Sequence, residues 1–251
     1  MKKITIIIIC LVLCVPSFAK RKSKETRCET RLNMGVEAFK NKKYSRAINL
    51  LSVARNECGG KLDSPDSLYY FLGSSYMKGR KYEDARTEFR TLIEDYPHSE
   101  FIENAYYHIA YCSFKAAPII QRDSKLLIRA EREFSSFISA YPRSEFNDSA
   151  RIYLDSIYQK LMEKEILNAE FYEIMNKYES AVIYYQSILE DYAQNNRTAE
   201  IRLRLAKNLA AASRSAEALE QIEILEKDDS FKSDTELLRR KIASKDKIRN
   251  R

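Results

Sequence analysis

The stretch YYFLGSSYMKGRKYEDARTEFRTLIEDYP, from Tyr69 to Pro97, decides the fold of this chain. Its apolar residues recur at helical spacing in two segments, and a short polar turn separates them. Gly73 and Ala85, twelve residues apart, are small enough for two antiparallel helices to approach closely. The aromatic and leucine positions fill the space around them. The stretch therefore predicts a helix hairpin that ends at Pro97.

The same stretch follows the frame of a tetratricopeptide repeat, or TPR, a unit of about 34 residues. Tyrosine stands in place of the leading tryptophan, and the matching residues are Tyr69, Leu72, Gly73, Tyr76, Ala85, Phe89 and Pro97. Each hairpin of this kind buries its apolar face only by stacking on the next, so we expect an array. Such arrays bind partners and rarely catalyse reactions.

The twelve-residue spacing of two small residues recurs along the chain, at Gly35 and Ala47, Ala169 and Ala181, and Ala206 and Ala218. In the third unit an insertion at residues 116–123 lengthens the spacing. No helix breaker lies between Glu145 and Met175, which predicts one long helix there. We therefore expect an all-α, right-handed superhelical solenoid over residues 27–228. Its five hairpins are predicted near residues 28–60, 66–98, 100–142, 145–193 and 197–228, before a basic tail at 229–251 that is partly helical or disordered.

The N-terminus is a different kind of sequence, in which Lys2-Lys3 precedes the apolar stretch from Ile4 to Val15. Small residues at Ser17 and Ala19 then predict a secretory signal peptide over residues 1–19, cut after Ala19. The stretch is too short to span a bilayer. The alternative is a lipoprotein signal with acylation at Cys14, although Leu13 is larger than the small residue that normally precedes such a cysteine.

Charge and cysteine content both bear on the compartment. The formal net charge is +7, and basic residues concentrate in the flexible segment at 20–26 and in the tail. Export excludes nucleic acid as a partner. Cys28 and Cys58 lie at the same end of the first hairpin, where an oxidising compartment allows a disulfide between them. Cys112 has no such partner and is expected to be buried.

The sequence shows no set of catalytic residues. It has two histidines, and it contains no Gly-rich phosphate loop, no metal-ligand spacing and no nucleophile motif. Runs of acidic residues lie near predicted helix ends, where they are expected to be solvated. We therefore expect a non-enzymatic protein that uses no cofactor and no metal.

The seventeen tyrosines are the better indication of function, because several occur in pairs. One member of each pair occupies a packing position of the repeat, and its neighbour points about 100° away around the helix. Tyrosine there suits a peptide groove. Tyr70 and Tyr107 are the candidates for peptide binding, together with Tyr69 and Tyr76, which could equally be core residues. Packing between hairpins is the alternative for all four.

Beyond the fold, the central part of the chain resembles the BamD family of outer-membrane β-barrel assembly components. The segments that carry the resemblance are Ala105-Tyr106-Tyr107, Tyr111, Gln121-Arg122-Asp123, Ala130, Phe134, the run from Tyr141 to Phe146, Ala150, the run from Leu161 to Glu165, the run from Ala169 to Tyr172, Tyr178, Ala181 and the run from Leu189 to Tyr192. They keep the order and spacing of that family. The insertion also occurs where BamD-like proteins carry theirs.

The resemblance implies a scaffold at the periplasmic face of the outer membrane that joins barrel precursors to the barrel-forming Bam subunit. Early repeats would bind the precursor, and later ones the barrel subunit, around Tyr185 and Arg202. Family members usually have a better lipobox, and many carry a basic residue where Tyr185 stands. The alternative is a generic periplasmic TPR scaffold resembling the Tol-Pal coordinators. Those proteins tend to have an N-terminal coiled coil, and no heptad run precedes Arg27.

Overall fold

The computed structural model describes residues 27–58, 62–117, 124–193, 196–227 and 229–249. The predicted signal peptide, Cys14, the basic segment at 20–26 and most of the predicted insertion lie outside these ranges. Regular structure within them is helical throughout, which confirms the all-α prediction. None of the described helices is long and apolar enough to cross a membrane.

Eleven α-helices occur in the described ranges. They are α1 (27–40), α2 (Tyr44–Cys58), α3 (Pro65–Lys78), α4 (Tyr82–Asp95), α5 (Ile102–Ala116), α6 (Lys125–Ala140), α7 (Asn147–Ile174), α8 (Tyr178–Asp191), α9 (Thr198–Ala211), α10 (Ser215–Leu225) and α11 (Lys232–Arg249). A short 3₁₀ helix, Asp229–Phe231, precedes α11. Successive α-helices pair as hairpins from α1 and α2 to α9 and α10, and the long helix predicted from Glu145 to Met175 is α7.

Four of the hairpins turn in the same way. In each, a polar residue two positions before the second helix has a positive φ angle: Lys42, Arg80, Asn176 and Ser213, at 56° to 66°. The next residue donates its backbone N–H to a carbonyl five residues earlier, as Lys81 does to Tyr76 at 2.9 Å. This bond closes the C-terminus of the first helix in the manner of a Schellman motif. Three of these four turns are followed by a Lys-Tyr pair, namely Lys43-Tyr44, Lys81-Tyr82 and Lys177-Tyr178.

The described chain forms two compact units, one extending to Leu154 and the other beginning at Asp155, so that the boundary falls within α7. Each unit is described by itself below. The prediction of a single array over residues 27–228 stays a prediction.

The small residues of the repeat frame allow close helix contact within the first unit. A Cβ atom added at Gly73 would lie 2.9 Å from Cε1 of Phe89, and one added at Gly35 would lie 2.6 Å from Leu51. Phe89, Leu51 and Ala85 are completely buried. The predicted close approach of α3 and α4 is therefore present, and it leaves no room for a side chain at position 73.

A disulfide joins Cys28 to Cys58, whose Cα atoms lie 5.8 Å apart. It links the beginning of α1 to the end of α2. Both cysteines are buried in the core of the first hairpin, beside Leu32 and Leu62. The free Cys112 is also buried, in a core cluster that contains Phe89 and Leu92.

In the second unit α11 packs into the same core as α9 and α10. Leu238 and Ile242 are buried there. The ammonium group of Lys245 donates hydrogen bonds to the carbonyl oxygens of Ala210 and Ala211, at 2.9 and 3.1 Å. These carbonyls belong to the C-terminal turn of α9, where a cation is stabilising. The basic tail thus contains a helix that covers the end of α9 and α10.

Candidate protein-binding surfaces

The first tyrosine pair lies on α3, and its members have different neighbours. The ring of Tyr70 stacks on Phe101, with centroids 4.3 Å apart and planes at 10°. The ring of Tyr69 lies 5.7 Å from that of Tyr96. Both tyrosines are half-buried. Each therefore combines a packing contact with an accessible part of its side chain.

Tyr69 and Tyr76 lie between the first two hairpins, because both pack against the buried clusters on either side. Between these clusters Arg55 donates a hydrogen bond to Glu88, and the Glu88 side chain is only 5% exposed. Burial raises the pKa of Glu88, although Arg55 opposes that effect. Burial also raises the pKa of both tyrosines. These two tyrosines therefore pack between hairpins, which is the alternative to a role in peptide binding.

The orientation expected for the second tyrosine pair is wrong. Tyr107 is the buried member, at 9% exposure, whereas Tyr106 is 41% exposed. The ring of Tyr107 stacks on Phe146 at 4.6 Å and also contacts Phe134 and Phe137. These phenylalanines come from α6 and from the segment before α7, and together they enclose the ring. Tyr107 therefore offers little surface to a peptide.

Tyr106 instead lines a groove of about 310 Å³ between α4, α5 and α6. Ile93 and Ile109 provide apolar surface, and Arg90 and Arg132 also line the groove. The adjacent Glu133 accepts a hydrogen bond at 2.7 Å from Arg86, whose side chain is 3% exposed. The sequence analysis did not identify this groove, because its residues come from two hairpins and share no motif.

His108, on α5, is enclosed by aromatic rings, with Phe89 at 5.2 Å and Tyr107 at 5.7 Å between centroids. Its Nδ1 atom is buried and has no hydrogen-bond partner within the described part of the chain. Burial, with a smaller contribution from the charge of Lys78, lowers the pKa of His108 from 6.5 to about 4. The imidazole is therefore neutral at physiological pH.

This burial makes a prediction about acid stability. In the unfolded chain His108 binds a proton near pH 6.5, whereas in the folded chain it stays neutral until about pH 4. The free energy of unfolding should therefore be highest above pH 6.5 and should fall by about 2–3 kcal/mol as the pH is lowered to 4. His108→Phe should remove that part of the pH dependence. The measurement is urea unfolding between pH 4 and pH 7, with the exposed His98→Gln as control. An unchanged pH profile in His108→Phe would contradict the prediction.

In the second unit, Tyr185 does not lie on the surface where we expected a partner contact. Its side chain is completely buried in the core. Burial raises the pKa of Tyr185 to about 12. Its hydroxyl accepts a hydrogen bond from Arg204 at 3.4 Å, and Arg204 also donates to Glu170 at 2.7 Å. Arg204, which the sequence analysis did not single out, thus supplies a partly exposed cation at this position.

Arg202 lies on α9 and donates a hydrogen bond to Gln221 of α10 at 2.7 Å. Residues two apart on a helix point about 200° away from each other, so Arg202 and Arg204 leave α9 on different sides. Arg204 points toward Tyr185, whereas Arg202 does not. The structure therefore does not bring Tyr185 and Arg202 together into one site.

Ion pairs about one repeat apart link α7 to Arg197, which directly precedes α9, and to Arg204 of α9, and link α8 to Arg214. Arg197 donates to Glu163 and Arg204 donates to Glu170, both at 2.7 Å and both across 34 residues. Arg214, just before α10, donates to Glu179 of α8 at 3.0 Å, across 35 residues. Each exposed ion pair contributes little by itself, about 0–1 kcal/mol. In these pairs each carboxylate and each guanidinium group already has a partner within the protein.

The end of α7 exposes apolar side chains. Phe171, Ile174 and Met175 are 57%, 79% and 52% exposed. Phe171 and Ile174 are three residues apart and lie on one face of α7, and Met175 directly follows the helix. Across the described ranges, no group of three or more histidine, cysteine or acidic side chains is arranged to hold a metal ion. The accessible features are therefore grooves, aromatic edges and apolar helix faces, which suit protein partners.

Comparison with known families agrees with this geometry. Residues 28–222 match the model of the YfiO family, described as outer membrane lipoproteins. The chain belongs to the YfiO family. This confirms the resemblance to BamD-like proteins and associates the chain with the cell envelope. No individually curated protein gives a significant match to this YfiO-family chain.

Several solved structures are similar to the chain. A thermophilic TPR protein of Thermus thermophilus is 19% identical, with 86% of this chain and 97% of that one covered and a TM-score of 0.37. A TPR protein of Parabacteroides merdae is 15% identical, with 86% and 84% covered and a TM-score of 0.41. The TPR2AB domain of yeast Sti1, in its complex with pHSP90, is 12% identical, with 87% and 99% covered and a TM-score of 0.44.

Proposed function

We propose that this protein is a non-enzymatic scaffold of the outer-membrane β-barrel assembly complex, and that it links unfolded barrel precursors to the barrel-forming subunit. The observation that carries the proposal is the family match over residues 28–222, which includes residues of all ten helices from α1 to α10. TPR hairpins and membership of the family support a general role as an outer-membrane assembly scaffold. The particular partners are our proposal.

The precursor site is proposed on the first unit, around Tyr69, Tyr70 and Tyr76. The half-buried side chains of these tyrosines are fixed by packing, so an aromatic contact with a peptide would cost little further side-chain entropy. Their hydroxyl groups can bond to peptide carbonyls. Tyr107 is not placed in this site, because its ring is enclosed by phenylalanines.

The site for the barrel subunit is proposed on the second unit, at the exposed part of α9. Arg202 is half-buried and bonded to a neutral glutamine, which leaves its positive charge uncompensated by that contact. Tyr185 and Arg204 are not part of this proposed site, because they lie on a different side of α9 from Arg202. A periplasmic domain of the barrel subunit with an acidic surface would suit such a site.

Depletion of the protein tests the proposed function. We expect the levels of outer-membrane barrels to fall, while inner-membrane proteins and other periplasmic proteins stay at normal levels, because only barrels need this scaffold. The measurement is quantitative proteomics of the envelope, with a pull-down for the barrel subunit from detergent-solubilised envelopes. Unchanged barrel levels, together with no barrel subunit in the pull-down, would favour the generic periplasmic scaffold instead.

The membrane attachment is a separate prediction. Because family members are described as lipoproteins, we propose acylation at Cys14 in place of the cleavage after Ala19 that the small residues Ser17 and Ala19 predict. Labelling with a radioactive fatty acid should mark the protein, and Cys14→Ala should abolish the label. Cys112→Ala, which keeps Cys14, is the control. An unlabelled mature protein that begins at Lys20 would restore cleavage after Ala19.

A further inference from the structure

A cavity of about 750 Å³ lies in the second unit, between the middle of α7 and the end of α8. Two tyrosines, a methionine and three acidic residues contribute to its lining: Tyr158, Tyr192, Met162, Asp155, Glu190 and Asp191. Its volume lies within the range of about 300–1,000 Å³ that is typical of ligand pockets. It is thus large enough for more than one side chain of a partner.

The charged side chains that line this cavity are all negative. No described lining residue is basic, and neither Asp155 nor Glu190 forms an ion pair within the described part of the chain. The Asp191 side chain accepts a hydrogen bond from the neutral Ser187 at 3.0 Å and forms no ion pair within the described residues. Arg197, which follows the lining residue Asn196, is already bound by Glu163 and Glu200. The three exposed carboxylates around the cavity therefore have no ion-pair partner among the described residues, unlike the paired carboxylates of α7.

The aromatic lining provides a second kind of surface. Tyr158 is 41% exposed, whereas Met162 is only 4% exposed. Burial raises the pKa of the Tyr192 hydroxyl, and Glu165, Asp191 and Tyr158 raise it further. Tyr192 therefore lies close both to a carboxylate of the lining and to the second ring. Ring faces and carboxylates that converge on one cavity attract the same ligand, a cation.

We propose that this cavity binds an arginine side chain from an extended, basic segment of a partner protein. The planar guanidinium group stacks on tyrosine rings and donates paired hydrogen bonds to carboxylates, and its aliphatic stem fits against Met162. A purely apolar occupant would instead desolvate three carboxylates without a partner. A divalent metal lacks the arrangement of ligands that it needs among the described residues.

This inference concerns a site other than those of the proposed function, and it is tested separately on the purified full-length protein. The probe is a short, end-capped, fluorescein-labelled peptide with two arginines, measured by fluorescence anisotropy. In the matched peptide citrulline replaces arginine, which keeps the shape and removes the charge. We expect the citrulline peptide to bind about tenfold more weakly, and added salt to weaken the arginine peptide.

The matched variants come from equivalent positions of two repeats. Glu190→Gln with Asp191→Asn removes two charges from the cavity at the end of α8. Glu94→Gln with Asp95→Asn removes the same charges at the end of α4. We expect the first double variant to lose about tenfold in affinity and the second less than about twofold. Tyr158→Leu, which keeps apolar volume but removes the ring, should lose about threefold.

Three results would overturn the proposal. They are equal binding of the citrulline peptide, unchanged affinity in the variant at the end of α8, and equal losses in the two double variants, which would indicate attraction by overall charge alone. Both double variants replace exposed side chains by amides of similar shape, so circular dichroism should show both folded. If the variant at the end of α8 were unfolded, the affinities of Tyr158→Leu and of the citrulline peptide would test whether the cavity binds arginine.

Discussion

Truncation of Phe89 to alanine is expected to lower the free energy of unfolding of the first unit by about 3–5 kcal/mol. Phe89 belongs to α4, and its completely buried ring lies against Gly73 of α3. Its removal leaves a cavity that the rigid hairpin cannot close. Urea unfolding followed by circular dichroism measures the loss. Phe171→Ala, which removes an exposed ring from α7, is the matched control and should change stability by less than about 0.5 kcal/mol.

A double-mutant cycle extends this prediction to the close approach of the helices. Gly73→Leu alone should cost about 1–3 kcal/mol or more, because the new side chain would overlap the Phe89 ring. Combined with Phe89→Ala, the leucine can occupy the space that the ring has left. The double variant should therefore lose less stability than the sum of the losses in the two single variants. Strict additivity, or a Gly73→Leu protein as stable as the parent, would contradict the hairpin register.

Loss of the disulfide is the second large expected effect. Cys28 and Cys58 are 30 residues apart in sequence. For a loop of this length the chain-entropy model gives about 3–4 kcal/mol of stabilisation. The double variant Cys28→Ala with Cys58→Ala should therefore unfold at lower urea concentration, and reductant should have no further effect on it. The disulfide links the two ends of the first hairpin, so we expect the loss of stability to appear in that hairpin.

Cys112→Ala is the control for that experiment, because it removes a buried thiol that forms no disulfide. Its stability should respond to reductant as the parent does. Mass spectrometry after alkylation without reduction gives an independent measure. Alkylation of both Cys28 and Cys58 in the exported protein would show that the disulfide does not form there, and the predicted stability difference would then be absent.

Much of the fold could be predicted because its determinants are local. Gly73 and Ala85 specify the close approach, and the polar residue before each Lys-Tyr pair marks a turn closed by hydrogen bonds within six residues. The long α7 follows from the absence of a breaker. The BamD-like segments lie on these same helices, so the family could also be recognised from sequence order and spacing.

The binding surfaces were less predictable, because a helical period does not say which neighbour encloses a side chain. Tyr106 and Tyr107 are adjacent, and the prediction selected the wrong one as exposed. The deciding contacts are with Phe134, Phe137 and Phe146, which lie 27 to 39 residues away from Tyr107 along the chain. For the same reason the sequence did not indicate that Tyr185 is buried beside Arg204.

By itself, the amino-acid sequence determined the helix hairpins, their turns and the family, because short-range spacing and backbone geometry control these features. Only the tertiary structure decided which tyrosines are buried, which carboxylates find an arginine one repeat away, and which remain unpaired around the cavity at Tyr158. Those outcomes depend on the packing of helices that are distant in sequence, where one neighbouring ring or guanidinium group changes whether a side chain is core or surface.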